Sequence, residues 1–244
     1  MTKRLVALLL AVASAPALAA GGVKLEASHA NVHDRASLQR GARLFVNYCL
    51  SCHEASFMRY ARVGQDLGLS EEQVAEHLIF TGKGVGETMT VAMDRDDAIA
   101  WFGAPAPDLS LTARAKPGGA DWIYTYLRSF YVDESRPLGW NNTVLPNASM
   151  PHVLWELQGI QRPVYAEGHQ GDAAHVERLE LVQPGTMSPA EYDQAMRDLA
   201  AFMAYVAEPA ALKRESMGVW VLLFLALFTF LAWLLKHEYW RDVH

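Results

Sequence analysis

Both cysteines of this 244-residue chain lie in one short segment, CLSCH, at residues 49–53. A site built at this segment constrains how the rest of the chain can fold around it. Three kinds of site use two cysteines with this spacing. They are a thioredoxin-like redox disulfide, one half of a structural zinc site, and the covalent attachment site of a c-type haem.

Two of these three sites need companions that the sequence does not supply. A thioredoxin-like motif lies beside alternating strands and helices, a pattern that this neighbourhood lacks. Structural zinc takes four ligands, and the sequence holds no second pair of cysteines. His53 directly follows Cys52, which completes the CxxCH signature of haem attachment. We therefore expect haem c.

The chemistry of haem attachment accounts for the spacing of the motif. The thiols of Cys49 and Cys52 would each add to one haem vinyl group as a thioether, and His53 would lie under the iron as its proximal ligand. Apolar residues recur at helical spacing over residues 36–48. The motif is therefore expected to end an amphipathic helix.

The two ends of the chain predict export and a membrane anchor. Residues 1–19 have a basic start, an apolar stretch and a small-residue cleavage site, the layout of a secretory signal peptide. Residues 217–235 carry no charge and would form a helix roughly 28 Å long, which suits a bilayer. Positive charges flank this span equally, so the exported N-terminus sets the orientation. We expect an exported domain at 20–208, an anchor at 209–236 and a cytoplasmic tail at 237–244.

The charge of the exported part bears on its partners. Residues 20–216 carry 17 Lys and Arg against 25 Asp and Glu. This acidic balance argues against a nucleic-acid partner and favours a basic protein partner. Acidic clusters at residues 71–76 and 94–97 are candidate docking sites, although a solvated surface explains each cluster more simply.

The second axial ligand of the iron is less obvious from the residues. Methionine in this position raises the potential and histidine lowers it. Most methionines fill cores, and Met196 and Met203 have the spacing of a buried helix face. Met150 lies in a loop between two prolines, a rigid setting that suits a ligand, and His152 is a neighbouring alternative. The residues alone leave both open.

The remaining local signals predict a mostly α fold. Capping boxes at Ser70 and Ser188 predict helices that run to about residues 80 and 206. A further helix is predicted over residues 118–131, with aromatic side chains on one face. The stretch 137–185 has few periodic signals and is expected to be rich in loops, with a short hairpin near residues 164–182.

Three segments together resemble a known family. They read CLSCH, APAPDLSLTARAKPGGADWIYTYLRSFY and GWNNTVLPNASMPHVLWELQG, and a single C-terminal anchor follows them. In this order they resemble cytochrome c1, the haem-bearing subunit of quinol:cytochrome c oxidoreductase, the bc1 complex. The forms TGKGVGETMTVAM and WNN resemble its proteobacterial members. The resemblance implies a cytochrome c-type haem domain with loop-rich insertions plus one C-terminal transmembrane helix.

The resemblance also implies roles for single residues. Cys49 and Cys52 would hold haem c covalently, and His53 and Met150 would ligate its iron. Pro107, in the segment PDLS, would line the haem pocket.

Three further positions match the family's pocket. Arg114 and Lys116 match basic residues that contact a haem propionate in the family. Lys116 stands where many members have Arg, so a two-pronged contact with a carboxylate is not assumed there. Trp122 stands where some members have Tyr, which leaves an indole N–H as the only donor.

The function that the resemblance implies is electron transfer. The chain, not an enzyme on its own, would be a subunit that takes electrons from a Rieske iron–sulfur protein and passes them to a soluble or membrane-bound cytochrome c. Cytochrome b and membrane lipid would be further partners, in a bacterial inner membrane with the haem domain on the periplasmic side. Two other hypotheses stay open: a free-standing membrane-anchored cytochrome c, and a thiol or metal module without haem.

Overall fold

The computed structural model describes residues 23–168 and 176–242. The predicted signal peptide and the last two residues of the predicted tail lie outside these ranges. The helices within them, in chain order, are α1 (Arg35–Leu44), α2 (Tyr60–Leu67), α3 (Glu71–Leu78), α4 (Arg95–Phe102), α5 (Thr112–Ala115), α6 (Gly119–Arg128), α7 (Trp155–Gln158), α8 (Pro189–Ala207) and α9 (Ala211–Tyr239).

The centre of the domain that precedes α9 is the packing of α1 against α8. Phe45, just beyond α1, meets Phe202 of α8 with ring centroids 5.6 Å apart, and both side chains are fully buried. Met196 and Met203 are also buried, which confirms their prediction as core residues. Helix α6 packs on another part of α8, so α8 connects two of the segments that the sequence associates with haem.

A buried carboxylate fixes α1 to α8. Asp198 of α8 accepts hydrogen bonds from Ser37 Oγ at 2.7 Å and from Arg40 Nε at 2.6 Å and Nη2 at 2.9 Å. Its side chain is 3% exposed, whereas that of Arg40 is 48% exposed. The charge of Asp198 is therefore compensated inside the interface, while Arg40 keeps contact with water.

Both predicted capping boxes are present. Ser188 Oγ accepts from Glu191 N, and the Glu191 carboxylate accepts from Ser188 N at 2.8 Å. Ser70 and Gln73 make the same reciprocal pair at the start of α3. These bonds satisfy backbone donors that the first turn of a helix leaves free. The helix boundaries near residues 80 and 206 are correct to within two residues.

The helix predicted over residues 118–131 is too long. Helix α6 ends at Arg128, and Phe130–Val132 forms a strand, β3, paired with β4 (Trp140–Asn142). Asn142 Nδ2 donates to the carbonyl of Tyr126 at 2.8 Å, and side chains from residues 158 and 161 donate to the carbonyl of Arg128. These distant donors bind the last carbonyls of α6, so the chain can leave the helix there.

The other strands form two further antiparallel pairs. Strands β1 (Ala55–Arg59) and β2 (Thr88–Met89) form a small irregular pair directly after the CxxCH motif, which the sequence analysis did not predict. Strands β5 (Gly159–Tyr165) and β6 (Val176–Pro184) form the hairpin. It is longer at both ends than the one predicted near residues 164–182.

Helix α9 is the one candidate membrane span in the described ranges. It extends beyond the predicted apolar stretch at both ends, and its side chains in the apolar window are exposed. His33 Nε2 lies 3.0 Å from Glu215 Oε2, so the domain that precedes α9 contacts the first turns of this helix. The length and composition of α9 fit the predicted anchor.

Candidate functional site

The CxxCH motif lies where α1 widens into a π-helical turn, Phe45–Cys49. After this turn the backbone N–H of His53 donates to the carbonyl of Cys49 at 2.7 Å, and that of Cys52 donates to it at 3.1 Å. The segment between the two cysteines is thus a tight turn anchored on Cys49. Single π-helical turns are frequent at functional sites because they re-aim side chains within a helix.

Both cysteines carry free thiols in this turn. Cys49 is buried and Cys52 is half-buried. Burial, with a smaller contribution from Cys52, raises the pKa of Cys49 to about 12, so this thiol stays protonated in the folded chain. The geometry is that of two separate sulfurs available for thioether bonds, and it contains no redox disulfide.

The imidazole of His53 is held in one orientation. Its Nδ1 donates a hydrogen bond to the carbonyl of Pro107 at 2.8 Å. Burial lowers the pKa of His53, and the bond to Pro107 opposes that shift only in part. The ring is therefore neutral, with the proton on Nδ1 and the lone pair on Nε2, the form that ligates a metal.

The loop that carries Pro107 is fixed to the strand after the motif. The backbone N–H of Leu109 donates to Glu54 O at 2.7 Å, and Ser56 Oγ donates to the carboxylate of Asp108. Ser110 Oγ accepts from the N–H of the residue after Ser56 at 3.1 Å. The PDLS segment thus positions a carbonyl for His53, which sequence reasoning had assigned only to the pocket lining.

Met150 lies in the loop between β4 and α7 and packs against the hydrophobic core that contains Cys49. Tyr126 Oη of α6 lies 3.4 Å from its sulfur, in the geometry of an O–H donor to Sδ. Sequence reasoning missed this contact. It recognised Tyr126 only as one aromatic on a helix face, and no local pattern links residues 24 positions apart.

His152, the alternative ligand, has different surroundings. Its ring stacks on Phe130 at a centroid distance of 5.0 Å and meets Trp140 edge-on at 5.2 Å. The residue is 2% exposed, and burial lowers its pKa to about 4. Two aromatic rings therefore hold the His152 imidazole in a packed position within the core, so its packing accounts for its place in this loop without a ligand role.

The predicted propionate contacts lie at the start of α6. Arg114, in α5, and Lys116 are exposed and make no ion pair with any carboxylate in the two described ranges. Lys116 Nζ lies 4.7 Å from the centre of the Trp122 ring, which in turn stacks on Tyr126 at 4.8 Å. Lys116 thus lies beside the column of rings that ends at Met150, and Arg114 precedes it by two residues in the chain.

The acidic clusters have a local explanation. Glu71 and Glu72 lie in the first turn of α3, and Asp96 and Asp97 lie in the first turn of α4, behind the N-cap Asp94. Negative charge stabilises this end of a helix. The clusters therefore stabilise helix starts and supply no independent sign of a docking site.

The residues present fit a covalently bound haem. The chain offers two free thiols, a neutral imidazole with an available Nε2, and a loop methionine that packs against the same hydrophobic core as Cys49. Across residues 23–168 and 176–242 no group of three or more His, Cys, Asp and Glu side chains is placed to hold a metal ion, so the zinc alternative lacks its remaining ligands.

Comparison with known proteins identifies the family of this chain. The sequence matches the Cytochrome C1 family over residues 26–243. The cytochrome c1 of Allochromatium vinosum is 46% identical, with all of both chains covered. The chain belongs to the cytochrome c1 family. Cytochrome c1 of Rhodospirillum rubrum is 30% identical over 86% of this chain and 83% of its own. A protein named ammonia monooxygenase gamma subunit, from Nitrosomonas europaea, is 46% identical over 97% of each chain.

Membership of the cytochrome c1 family settles the coarse function. The family is that of the haem-containing electron carrier of the bc1 complex, so haem c is the cofactor and electron transport is the role. Helix α9 is the single membrane anchor of such a carrier. The hypothesis of a thiol or metal module without haem is therefore wrong.

Proposed function

We propose that this chain passes electrons from a Rieske iron–sulfur protein to a cytochrome c acceptor through one covalently bound haem c. The haem domain would lie on the periplasmic side of a bacterial inner membrane, with cytochrome b and lipid around α9. The observation that carries the proposal is the hydrogen bond from His53 Nδ1 to Pro107 O, because it prepares Nε2 for iron beside two free thiols.

Each residue in this proposal has a defined task. Cys49 and Cys52 would form the thioethers that make the haem permanent. His53 and Met150 would be the protein ligands of the iron, and the bound haem would supply the one-electron couple. Methionine ligation in a pocket shielded from water favours the reduced form, which suits acceptance of an electron from a Rieske centre, whose own potential is raised by its histidine ligands.

The cations near α6 would orient the haem. Arg114 and Lys116 have no carboxylate partner within the described ranges, so they can neutralise propionates without losing another ion pair. Lys116 would act as a point charge, whereas the arginine of many family members can donate two parallel hydrogen bonds to one carboxylate. Trp122 can add only an indole N–H to this contact.

The ligand assignment is tested with Met150→Leu. The variant should keep covalent haem, because both thiols remain, and its midpoint potential should fall, since leucine has no donor atom to favour the reduced iron. Met203→Leu, a volume-conserving change in the buried core, is the matched control and should leave the potential unchanged. A Met150→Leu protein with the wild-type potential would refute the assignment.

The partner assignment is tested by gentle purification from membranes. The chain would carry a C-terminal tag, and the sample would be examined by reduced-minus-oxidised spectra and electron spin resonance. Haem c together with haem b and a Rieske iron–sulfur signal would support the bc1 assignment. Haem c alone, after cross-linking of the membranes before extraction, would favour the free-standing membrane-anchored carrier.

A further inference from the structure

The contact between Tyr126 and Met150 has a consequence for the tuning of the iron. We propose that Tyr126 is a positioning residue for the distal ligand: its hydroxyl donates a hydrogen bond to Met150 Sδ, orients the sulfur and raises the haem potential. The proposal rests on the ligand role assigned to Met150 above. The contact itself is a distance of 3.4 Å between Oη and Sδ.

The position of the Tyr126 ring is fixed from two sides. Trp122 stacks on one face at 4.8 Å with an angle of 10° between the planes, and Phe130 meets the ring at 5.0 Å with an angle of 68°. A flip of the ring about its long axis leaves Oη in place. The hydroxyl therefore keeps its position beside Met150 even when the ring moves.

The backbone of Tyr126 is fixed as well. Asn142 is fully buried, and its Nδ2 donates to Tyr126 O at 2.8 Å. The carbonyl oxygen of the Asn142 side chain accepts from the N–H groups of Val144 and Leu145, at the start of the loop that carries Met150. One buried amide thus binds both the helix with the donor and the loop with the acceptor. This arrangement limits relative movement of Oη and Sδ.

The hydroxyl of Tyr126 has no stronger acceptor within the part of the chain that the structure describes. The residue is 8% exposed, and among the described residues Met150 Sδ is the only hydrogen-bond partner of its Oη. Buried hydroxyl groups find a partner in the great majority of proteins. A thioether accepts only weakly, so a phenol directed at one signals a specific geometry and adds little to stability.

The sign of the change in haem potential follows from the charge on the iron. The positive end of the O–H dipole lies at the sulfur and draws electron density away from its lone pairs. Oxidised iron carries one more positive charge than reduced iron. It therefore loses more stabilisation when its sulfur ligand donates less electron density. A hydrogen bond at Sδ therefore favours the reduced form, and its removal should lower the potential.

The test is Tyr126→Phe in the full chain with haem bound, in its membrane complex. This change removes one oxygen and keeps both ring contacts. We expect the reduction equilibrium to shift about three- to tenfold toward the oxidised form, where tenfold corresponds to about 59 mV for one electron. Haem content and the near-infrared sulfur-to-iron band, which reports methionine ligation, should be retained.

Tyr124→Phe is the matched control. Tyr124 lies two residues away on α6, and its hydroxyl donates to Asp193. Its removal takes a hydrogen bond from the same helix without touching Met150, so it should lower the melting temperature and leave the potential unchanged. If Tyr126 had only a structural role, both variants would lower the melting temperature and leave the haem potential unchanged. Equal potentials for Tyr126→Phe and wild type, with methionine still bound, would overturn the proposal.

A double-mutant cycle separates this proposal from the ligand assignment. In a Met150→Leu background the hydroxyl has no sulfur to act on, so Tyr126→Phe should produce no further change in potential. The same change in both backgrounds would show that Tyr126 acts on another group and would overturn the inference alone. If Met150→Leu alone leaves the potential unaltered, that result refutes the assignment of Met150 as a ligand, on which the role of Tyr126 depends.

Discussion

Gly41 allows α1, the helix that leads into the haem motif, to approach α8 closely. A Cβ atom placed on Gly41 would lie 2.2 Å from the carbonyl oxygen of Asp198 and 2.7 Å from Cβ of Phe202. Both atoms belong to or adjoin the backbone, so they cannot rotate away. Gly41→Ala must therefore push the two helices apart.

The size of the effect can be worked from three contributions. Overpacking of a close interface costs up to about 3 kcal/mol. Stretching the hydrogen bonds that Asp198 accepts from α1 adds about 1–2 kcal/mol. Alanine gains about 1 kcal/mol over glycine in helix propensity. The net expectation is a loss of about 3 kcal/mol, or a melting temperature lower by roughly 6–12 °C for a domain of this size.

The assay is thermal unfolding of the purified holoprotein, followed by its haem absorbance, with haem content measured on the same preparation. Gly64→Ala is the graded control. There the closest atom is a methyl group of Val74 at 2.7 Å, the end of a side chain that can shift, so the loss should be smaller. A Gly41→Ala protein as stable as wild type, or more stable, would refute the packing argument, because helix propensity alone predicts a gain of about 1 kcal/mol.

Two further predictions concern stability. Ser188→Ala removes the capping box of α8 and should cost about 1 kcal/mol, measured by the same thermal unfolding; an unchanged melting temperature would mean that water replaces the cap. Burial opposes ionisation of Asp193, yet hydrogen bonds from Tyr124 and Arg197 outweigh it and hold the pKa of Asp193 below its usual range. Its stabilisation is therefore complete above the unfolded pKa of about 3.9 and is lost as pH falls through the folded value. Asp193→Asn should have a lower melting temperature at neutral pH and a flatter acid dependence, and parallel acid profiles for the two proteins would contradict this.

Local signals predicted the parts of the fold that depend on local physics. A capping box acts within one turn, so Ser70 and Ser188 could be recognised from spacing alone. The apolar stretch within α9 has no charged residue, so its membrane character needs no partner to be visible. The strand pair after the haem motif was missed, because β2 has only two residues and no periodicity to detect.

The functional site also has features that the local sequence determines and contacts that depend on the tertiary structure. The sequence by itself determined the haem motif, the anchor and the family, because CxxCH needs two sulfurs and a ligand at fixed short spacing. Only the tertiary structure decided where α6 ends, which carbonyl orients His53 and which hydroxyl meets Met150. The partners in these contacts are 16, 54 and 24 residues apart. Such contacts exist only after the chain has closed its loops around one core, and no local pattern records which distant groups will then face each other.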